Sequence, residues 1–212
     1  DLRDSIYYII DTTGIQPDQG YKYSDLGYYY LQRVIEKRTG KGLQQLVKER
    51  FADPMGAWSY GYKPLEQFYV GNVVPTEQDY YFRYQLLQGD VHDPGAALLN
   101  GVGGHAGLFS NANDLAKMMQ MLLQNGYYGG KQYLEAEVVK AYTAYQDDDT
   151  NNRRGAGFDK PMRCCGGGGS CCSYASSSSF GHSGFTGTLT WVDPQEDLVY
   201  VFLSNRVYPD AL

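Results

Sequence analysis

Apolar residues recur at helical spacing at the start of the chain and predict two helices there. The first covers residues 2–10, and its apolar positions are Leu2, Ile6, Ile9 and Ile10. The second follows Ser24 and Asp25, two residue types that cap helix N-termini, and it stops at Gly40. Its apolar positions are Leu26, Tyr30, Val34 and Ile35.

Three later segments also have helical signals. A helix over residues 43–51 is expected to end at the pair Asp53-Pro54. Asn111 is an N-cap type with Asp114 three residues later, and a strongly amphipathic helix follows it up to Asn125-Gly126. Another helix is predicted over residues 135–142.

The remaining segments differ in character. Residues 59–92 lack clear periodicity and predict long irregular connections with short helical pieces. β-forming residues dominate 188–192 and 198–203, and the segment 193–197 between them contains Pro194 at a suitable turn position. These two runs predict an antiparallel hairpin.

Helices first and antiparallel strands afterwards indicate the α+β class. We predict one domain in two parts: a mainly helical part over residues 1–154 and an antiparallel β part over residues 155–212. The polar run at residues 146–154 is a candidate linker between them.

The bulk composition excludes several classes of protein. The net charge is −6 with 42% hydrophobic residues, and an acidic chain without a Lys/Arg cluster argues against nucleic-acid binding. No run of about 18 apolar residues exists, so we predict no membrane span. No signal peptide is visible and the chain opens at Asp1 without a Met, so we expect a fragment or a processed chain.

Two residue types are unevenly distributed. The 21 Tyr include clusters such as 28–30; half-buried aromatic surface is the simpler interpretation, and a carbohydrate-stacking platform is the alternative. The Cys residues all lie within 164–172, ahead of a serine run at 176–179 that suggests a loose loop. Adjacent Cys pairs fit zinc poorly, so we predict no metal and no cofactor, with disulfides and free thiols both open. The Cys positions are Cys164, Cys165, Cys171 and Cys172.

Three short motifs carry the candidate chemistry. Tyr23-Ser24-Asp25 stands directly before a predicted helix, and a glycine-rich loop over residues 103–110 precedes another. His182-Ser183-Gly184 opens the β-rich region, where it would place a basic group and a hydroxyl at the rim of a strand, with a glycine that admits close approach of a ligand.

The order, spacing and structural context of these motifs resemble the serine β-lactamase-related family, which includes class C β-lactamases, D-peptidases and esterases. More narrowly, the chain resembles the β-lactamase-like domain fused to family 3 glycoside hydrolases in Bacteroidetes. The resemblance implies a partial β-lactamase/transpeptidase-like fold and acyl transfer through a serine ester. It also implies a small-molecule or peptide substrate and a periplasmic or cell-envelope location.

The resemblance assigns catalytic roles in the first motif. Tyr23 would be the general base or acid that manages the serine proton, since a phenol near a Lys ammonium can have its pKa lowered. Asp25 would hold the substrate amide or order the Lys. The family often has Asn at this position, so Asp25 adds a negative charge.

The strand motif would bind the substrate. His182 replaces the usual Lys and is only partly charged at neutral pH, which favours esterase or D-peptidase work over β-lactam hydrolysis. Ser183 would hydrogen-bond the substrate beside Gly184, and the backbone N–H of Phe185 would be an oxyanion donor. His92 and His105 are predicted to be structural.

The family's nucleophile motif is missing from this sequence, because no Ser is followed by Lys three positions later. We therefore expect the nucleophile outside this chain, in a missing N-terminal segment that completes the domain and without which the chain is not stable. A catalytically inactive β-lactamase-like binding domain is the alternative.

Overall fold

The computed structural model of the chain describes residues 2–14, 21–148, 152–163 and 169–211. The α-helices are α1 (Leu2–Thr12), α2 (Leu26–Thr39), α3 (Leu43–Val47), α4 (Asp53–Met55), α5 (Pro94–Leu98), α6 (Ala112–Leu123) and α7 (Ala136–Thr143). The predicted helices at the start of the chain, after Asn111 and near residue 135 are confirmed.

Antiparallel pairing accounts for all four described sheets. The strands are β1 (Gly61–Tyr62), β2 (Pro75–Gln78), β3 (Leu86–Gln88), β4 (Leu108–Phe109), β5 (Tyr127–Tyr128), β6 (Lys131–Gln132), β7 (Phe180–Ser183), β8 (Thr188–Asp193) and β9 (Leu198–Leu203). Two-stranded sheets pair β1 with β4, β2 with β3, and β5 with β6; the largest sheet has the order β7-β8-β9. The predicted hairpin is β8–β9, with Thr188 opposite Leu203 and Asp193 opposite Leu198.

The chain forms two compact units, and both are discontinuous in sequence. Unit 1 contains Asp1–Lys48, Gly61–Phe109 and Tyr208–Leu212. Unit 2 contains Glu49–Tyr60 and Ser110–Val207, so the residues on both sides of position 154 lie in the same unit.

The core of unit 1 joins α1 to α2 through aromatic side chains. Tyr7 and Tyr29 are buried together with Leu99, and the Tyr7 hydroxyl donates to the Tyr29 carbonyl at 3.1 Å. The Arg33 guanidinium lies 4.4 Å from the centre of the Tyr7 ring. In the pair Tyr7-Tyr8, Tyr7 is thus a core residue while Tyr8 is exposed.

The segment 59–92 is more regular than its sequence predicts. It contains the β2–β3 pair, and a turn held by the fully buried Asp79 connects these strands. Asp79 accepts hydrogen bonds from the backbone N–H groups of Tyr81, Phe82 and Arg83 and from the Arg83 Nε. Burial alone would raise the pKa of Asp79, but these donors outweigh it and hold the pKa well below its usual range.

The helix that begins at Leu43 also continues further than predicted. A π-helical turn over Lys48–Ala52 joins α3 to α4. Pro54 lies in the first turn of α4, where a backbone N–H would have no helical partner, so its missing N–H costs no hydrogen bond. The helix α4 then ends at Gly56, which has φ 63°. The expected end at Asp53-Pro54 is therefore wrong, because Pro54 begins a new helical turn.

Unit 2 is built around α6. Asn111 caps this helix, since its side-chain oxygen accepts from the Asp114 N–H at 2.8 Å. One side of α6 contributes Met119 to a cluster with Phe180 and Val192 of the sheet. Another side contributes Met121 to a second buried cluster.

Both ends of the serine run before β7 are held in place, so this run is not the loose segment that its sequence suggests. Ser176 donates to both carboxylate oxygens of Asp193, from its backbone N–H at 2.8 Å and its hydroxyl at 2.5 Å. Ser179 is fully buried. Cys171 and Cys172 carry free thiols, while Cys164 and Cys165 lie outside the described residues.

Among the helices of the described segments, none is long and apolar enough to cross a membrane.

Two adjacent residues on β3, one buried and one exposed, provide a matched test of side-chain burial in unit 1. Leu87 is fully buried, whereas Leu86 is 45% exposed. We expect Leu87→Ala to lower the free energy of unfolding by about 2–5 kcal/mol, because it leaves a cavity. Leu86→Ala should lower it by about 1 kcal/mol or less. Urea denaturation measures both, and equal losses would contradict the described register of β3.

Candidate active site

The strand β7 places the His182-Ser183-Gly184 motif at the exposed end of the three-stranded sheet. The strand starts with Phe180, which is 2% exposed and packs into the core of unit 2. Burial decreases along the strand: Gly181 is buried, His182 is half-buried and Ser183 is exposed. The motif therefore emerges from the core to a surface that a ligand can reach.

Gly181 of β7 lies between Asp159 on one side and strand β8 on the other. Its N–H donates to the Asp159 carbonyl at 3.0 Å, and its carbonyl accepts from the Asp159 N–H at 2.7 Å. A Cβ at this position would overlap the Thr190 carbonyl and the Trp191 ring. Only glycine fits here without a shift of the neighbouring strand.

Both ring nitrogens of His182 have defined roles. Nδ1 is 2.7 Å from the carbonyl oxygen of Ser183, which can only accept, so Nδ1 carries the proton. Nε2 is 3.4 Å from Nη1 of Arg154, which can only donate, so Nε2 accepts. With these partners, the Nδ1 hydrogen faces the Ser183 carbonyl and Nε2 faces the Arg154 guanidinium.

A buried carboxylate lies behind His182. Asp159 is 2% exposed and accepts hydrogen bonds from Nη1 of Arg154 and from Nη2 of Arg153, the second at 3.3 Å. The Ser170 hydroxyl donates to it at 2.7 Å and lies 3.5 Å from the Ser183 hydroxyl. The network thus connects two arginines to both polar residues of the motif.

The turn after the motif is anchored from the end of β9. Arg206 donates from Nε to the Phe185 carbonyl at 2.7 Å, and its guanidinium lies 4.4 Å from the centre of the Phe185 ring. The Ser204 hydroxyl donates to the Gly187 carbonyl at 2.6 Å. These contacts fix the backbone around Phe185, whose side chain is 61% exposed.

The other predicted motif lies in unit 1, at the start of α2. Tyr23 is 56% exposed, so its phenol is more open to water than the predicted role assumes. The Ser24 hydroxyl accepts from the Leu26 N–H at 3.2 Å. Asp25 is the N-cap residue by position, but its side chain makes no capping hydrogen bond, which leaves its carboxylate outside the cap.

The glycine-rich loop is attached to α2 in the same unit. Gln32 is 2% exposed; it donates to the Val102 carbonyl and accepts from the Gly104 N–H, both at 2.9 Å. His105 stacks on Tyr29 with ring centres 4.6 Å apart. Its Nε2 lies 2.8 Å from the Asp93 carboxylate, a hydrogen bond that lowers the pKa of Asp93. These contacts support the predicted structural role of His105.

The structure groups the predicted residues into two sets. His182, Ser183, Gly184 and Phe185 lie together on β7 and its following turn in unit 2, and Tyr23 and Asp25 lie together in unit 1. Among the described residues, no group of His, Cys, Asp or Glu could hold a metal ion.

Sequence reasoning missed the two arginines and Asp159. Arg153 and Arg154 end the polar run that is a candidate linker, and both pair with a buried acid. The available signal was the Arg-Arg pair shortly before an Asp in a β-rich region, but nothing local indicates that this Asp is buried.

A comparison with known protein families shows the family to which this chain belongs. The Beta-lactamase family profile matches residues 10–212. The chain belongs to the Beta-lactamase family. The predicted membership of the serine β-lactamase-related group is confirmed, and so is the partial β-lactamase/transpeptidase-like α+β fold.

Two curated bacterial proteins are similar to this chain over most of its length. A candidate D-alanyl-D-alanine carboxypeptidase of Escherichia coli (strain K12) is 35% identical over 203 residues, which is 90% of this chain and 46% of that protein. An N-acetylmuramyl-L-alanine amidase of Bacillus subtilis (strain 168) is 32% identical over 207 residues, 90% of this chain and 45% of that protein. The chain thus spans about half the length of these relatives.

Solved structures share the β-lactamase fold at low sequence identity. The octameric penicillin-binding protein homologue of Pyrococcus abyssi has a TM-score of 0.64 at 18% identity, covering 96% of this chain and 43% of that one. A penicillin-binding protein homologue of Caulobacter crescentus has a TM-score of 0.60 at 17% identity, covering 91% and 54%.

The residue after Asp159 gives a pH-dependent prediction. Lys160 is 2% exposed, and its ammonium donates to the Ser179 carbonyl at 2.9 Å and lies 4.9 Å from the centre of the Tyr145 ring. Burial, with a contribution from the nearby Arg163 charge, lowers the pKa of Lys160 to about 8. Between that pH and the unfolded pKa of about 10.4, the unfolded chain binds more protons, so stability rises with pH.

We therefore expect the wild-type free energy of unfolding, measured relative to Lys160→Met, to rise by up to about 3 kcal/mol across this window. Lys140→Met is the matched control, because the Lys140 side chain is 62% exposed. Parallel pH profiles for wild type and Lys160→Met would show that Lys160 titrates normally.

Proposed function

We propose that this chain is part of a serine hydrolase that cleaves an ester or amide through an acyl-serine intermediate. The observation that carries the proposal is the position of His182-Ser183-Gly184 at the accessible end of a strand in a member of the Beta-lactamase family. A strand that presents a hydroxyl and backbone N–H groups can align against an extended substrate.

We propose a cell-wall peptide as the substrate class. The names of two relatives refer to D-alanyl-D-alanine and to N-acetylmuramyl-L-alanine, both of which are components of bacterial peptidoglycan. Such a substrate fits a periplasmic or cell-envelope location. A histidine at position 182, where the family usually has Lys, fits a peptidase or esterase better than a dedicated β-lactamase, because histidine carries no fixed charge.

The nucleophile would come from polypeptide that these 212 residues do not include. The sequence contains no Ser-x-x-Lys, and the matching relatives are about twice as long as the matched region. In the reaction, the serine oxygen attacks the substrate carbonyl while Tyr23 takes part in transfer of the serine proton to the leaving group. Water then cleaves the acyl-serine, and the Phe185 N–H stabilises the oxyanion in both steps.

Covalent labelling tests the reaction class. A fluorophosphonate or penicillin probe should label the full-length protein on the serine of a Ser-x-x-Lys motif, and replacement of that serine by Ala should abolish the label. No labelling despite an intact motif would exclude the proposal. A full-length sequence without the motif would instead favour the inactive binding domain.

A substitution tests the role of Tyr23. We expect Tyr23→Phe to lower the rate of acylation by about 10²–10⁴-fold, the range typical of general acid–base catalysis. Tyr21→Phe is the matched control, because Tyr21 is similarly exposed at 51% and lies two positions away. Pre-steady-state labelling kinetics measure both, and equal rates in the two variants would remove Tyr23 from the mechanism.

A further inference from the structure

Unit 1 contains a cavity to which the proposed reaction gives no role. Its volume is about 410 Å³, within the range of roughly 300–1,000 Å³ that small-molecule sites occupy. It is lined by residues from the segment after β1, the β2–β3 turn, the end of β3, the end of α5 and strand β4. The described residues that line it include neither Tyr23 nor Asp25.

The backbone is strained at three places around this cavity. Lys63, Tyr84 and Asn100 have left-handed conformations, with φ of 48°, 52° and 62°. Lys63 and Asn100 line the cavity, and Tyr84 lies between two lining residues, Arg83 and Gln85. A positive φ is unfavourable for large side chains such as Lys and Tyr, and strain of this kind concentrates at ligand sites. The strain therefore marks this cavity as a binding site.

The planar polar side chains of the lining have unused hydrogen-bonding capacity. Gln85, Asp90 and Asn100 line the cavity, and within the described part of the chain their side chains make no hydrogen bond or ion pair. Arg83 donates once each from Nε, Nη1 and Nη2, to Asp79 and to two backbone carbonyls. A second N–H on Nη1 and on Nη2 is left for a ligand. The cavity thus offers donors and acceptors together.

Most charges of the lining are balanced within the protein. The Lys63 ammonium lies 3.6 Å from the Glu66 carboxylate, and Arg83 pairs with the buried Asp79. Asp90 is exposed to water, where its charge is screened by salt while its oxygens can still accept from hydroxyl groups. This balance favours a neutral polar ligand over an ion.

The cavity adjoins a second one and also has apolar walls. The second cavity, of about 540 Å³, belongs to unit 1 as well and shares Lys63 and Asn100 with the first. Leu65 and Phe109 contribute apolar side chains to the first cavity. The Leu65 side chain lies over Gly89, where a Cβ would overlap it. An elongated ligand with both hydroxyl groups and apolar faces fits this lining.

We propose that the two adjoining cavities of unit 1 bind a neutral oligosaccharide, with Asn100 contacting it at their junction. Sugar hydroxyls both donate and accept hydrogen bonds, and the C–H faces of sugar rings are apolar, which matches the mixed lining. The proposal rests on the proposed function, because the peptides of peptidoglycan are attached to strands of N-acetylated amino sugars. The cavities would hold the glycan strand of the substrate whose peptide is cleaved.

Isothermal titration calorimetry of the full-length protein tests the proposal with N-acetylglucosamine oligomers. We expect the tetramer to bind about 10-fold more tightly than the dimer, because the longer chain reaches both cavities and its second contact is intramolecular. Asn100→Gly should weaken binding of the tetramer by about 3- to 10-fold, as expected for the loss of a neutral hydrogen bond. Glycine adopts the φ of Asn100 without strain, so this variant keeps its fold.

Asn125→Gly is the matched control for this substitution. Asn125 is also exposed and left-handed, with φ 52°, but it lies in unit 2. Its replacement should leave the affinity for the tetramer unchanged. Equal affinities of wild type and Asn100→Gly would overturn the proposal, and so would acetyl-D-alanyl-D-alanine binding that depends on Asn100 while the tetramer does not bind.

Serine labelling separates this proposal from the proposed function. A protein whose serine is labelled by the fluorophosphonate or penicillin probe, but which binds no oligomer, would overturn the oligosaccharide site and leave the hydrolase intact. Binding of the tetramer through Asn100 in a protein whose intact Ser-x-x-Lys motif is not labelled would support the oligosaccharide site and remove the hydrolase.

Discussion

The candidate site depends on the ion pairs and the hydrogen bond that the buried Asp159 carboxylate makes. It is 2% exposed, contacts two arginines and accepts from Ser170. An unpaired charge at this depth would cost several kcal/mol, so the arginines and the acid fold as one set. Because the Asp159 backbone also pairs with Gly181, the same set fixes the edge of β7.

Buried aspartates organise the loops elsewhere in the chain in a related way. Asp79 closes the β2–β3 turn, Asp114 accepts from the backbone and hydroxyl of Ser59, and Asp193 holds Ser176. Burial raises the pKa of a carboxyl, but donated hydrogen bonds outweigh it and lower the pKa in each of these three cases. Hydrogen bonds to these three ionised carboxylates thus hold loops that have little apolar content.

The elements that could be predicted from the sequence are those set by local periodicity and by helix capping. The helices with clear apolar faces and the β8–β9 hairpin are confirmed because their signals lie within a few residues of each other. The β2–β3 pair was missed because its strands are short and its turn depends on Asp79, which only the tertiary structure buries. The motif at His182 was found by resemblance, while Arg154 was missed because it contacts His182 across 28 positions.

We propose that the strand motif of β7 forms part of the substrate-binding wall of a serine hydrolase. The most direct test is a crystal structure of the full-length protein acylated by a penicillin. We predict that the adduct carboxylate lies within hydrogen-bond distance of the Ser183 hydroxyl, and that the acyl oxygen accepts from the Phe185 N–H. An adduct bound to a serine elsewhere, with no contact to β7 or the turn after it, would contradict the account.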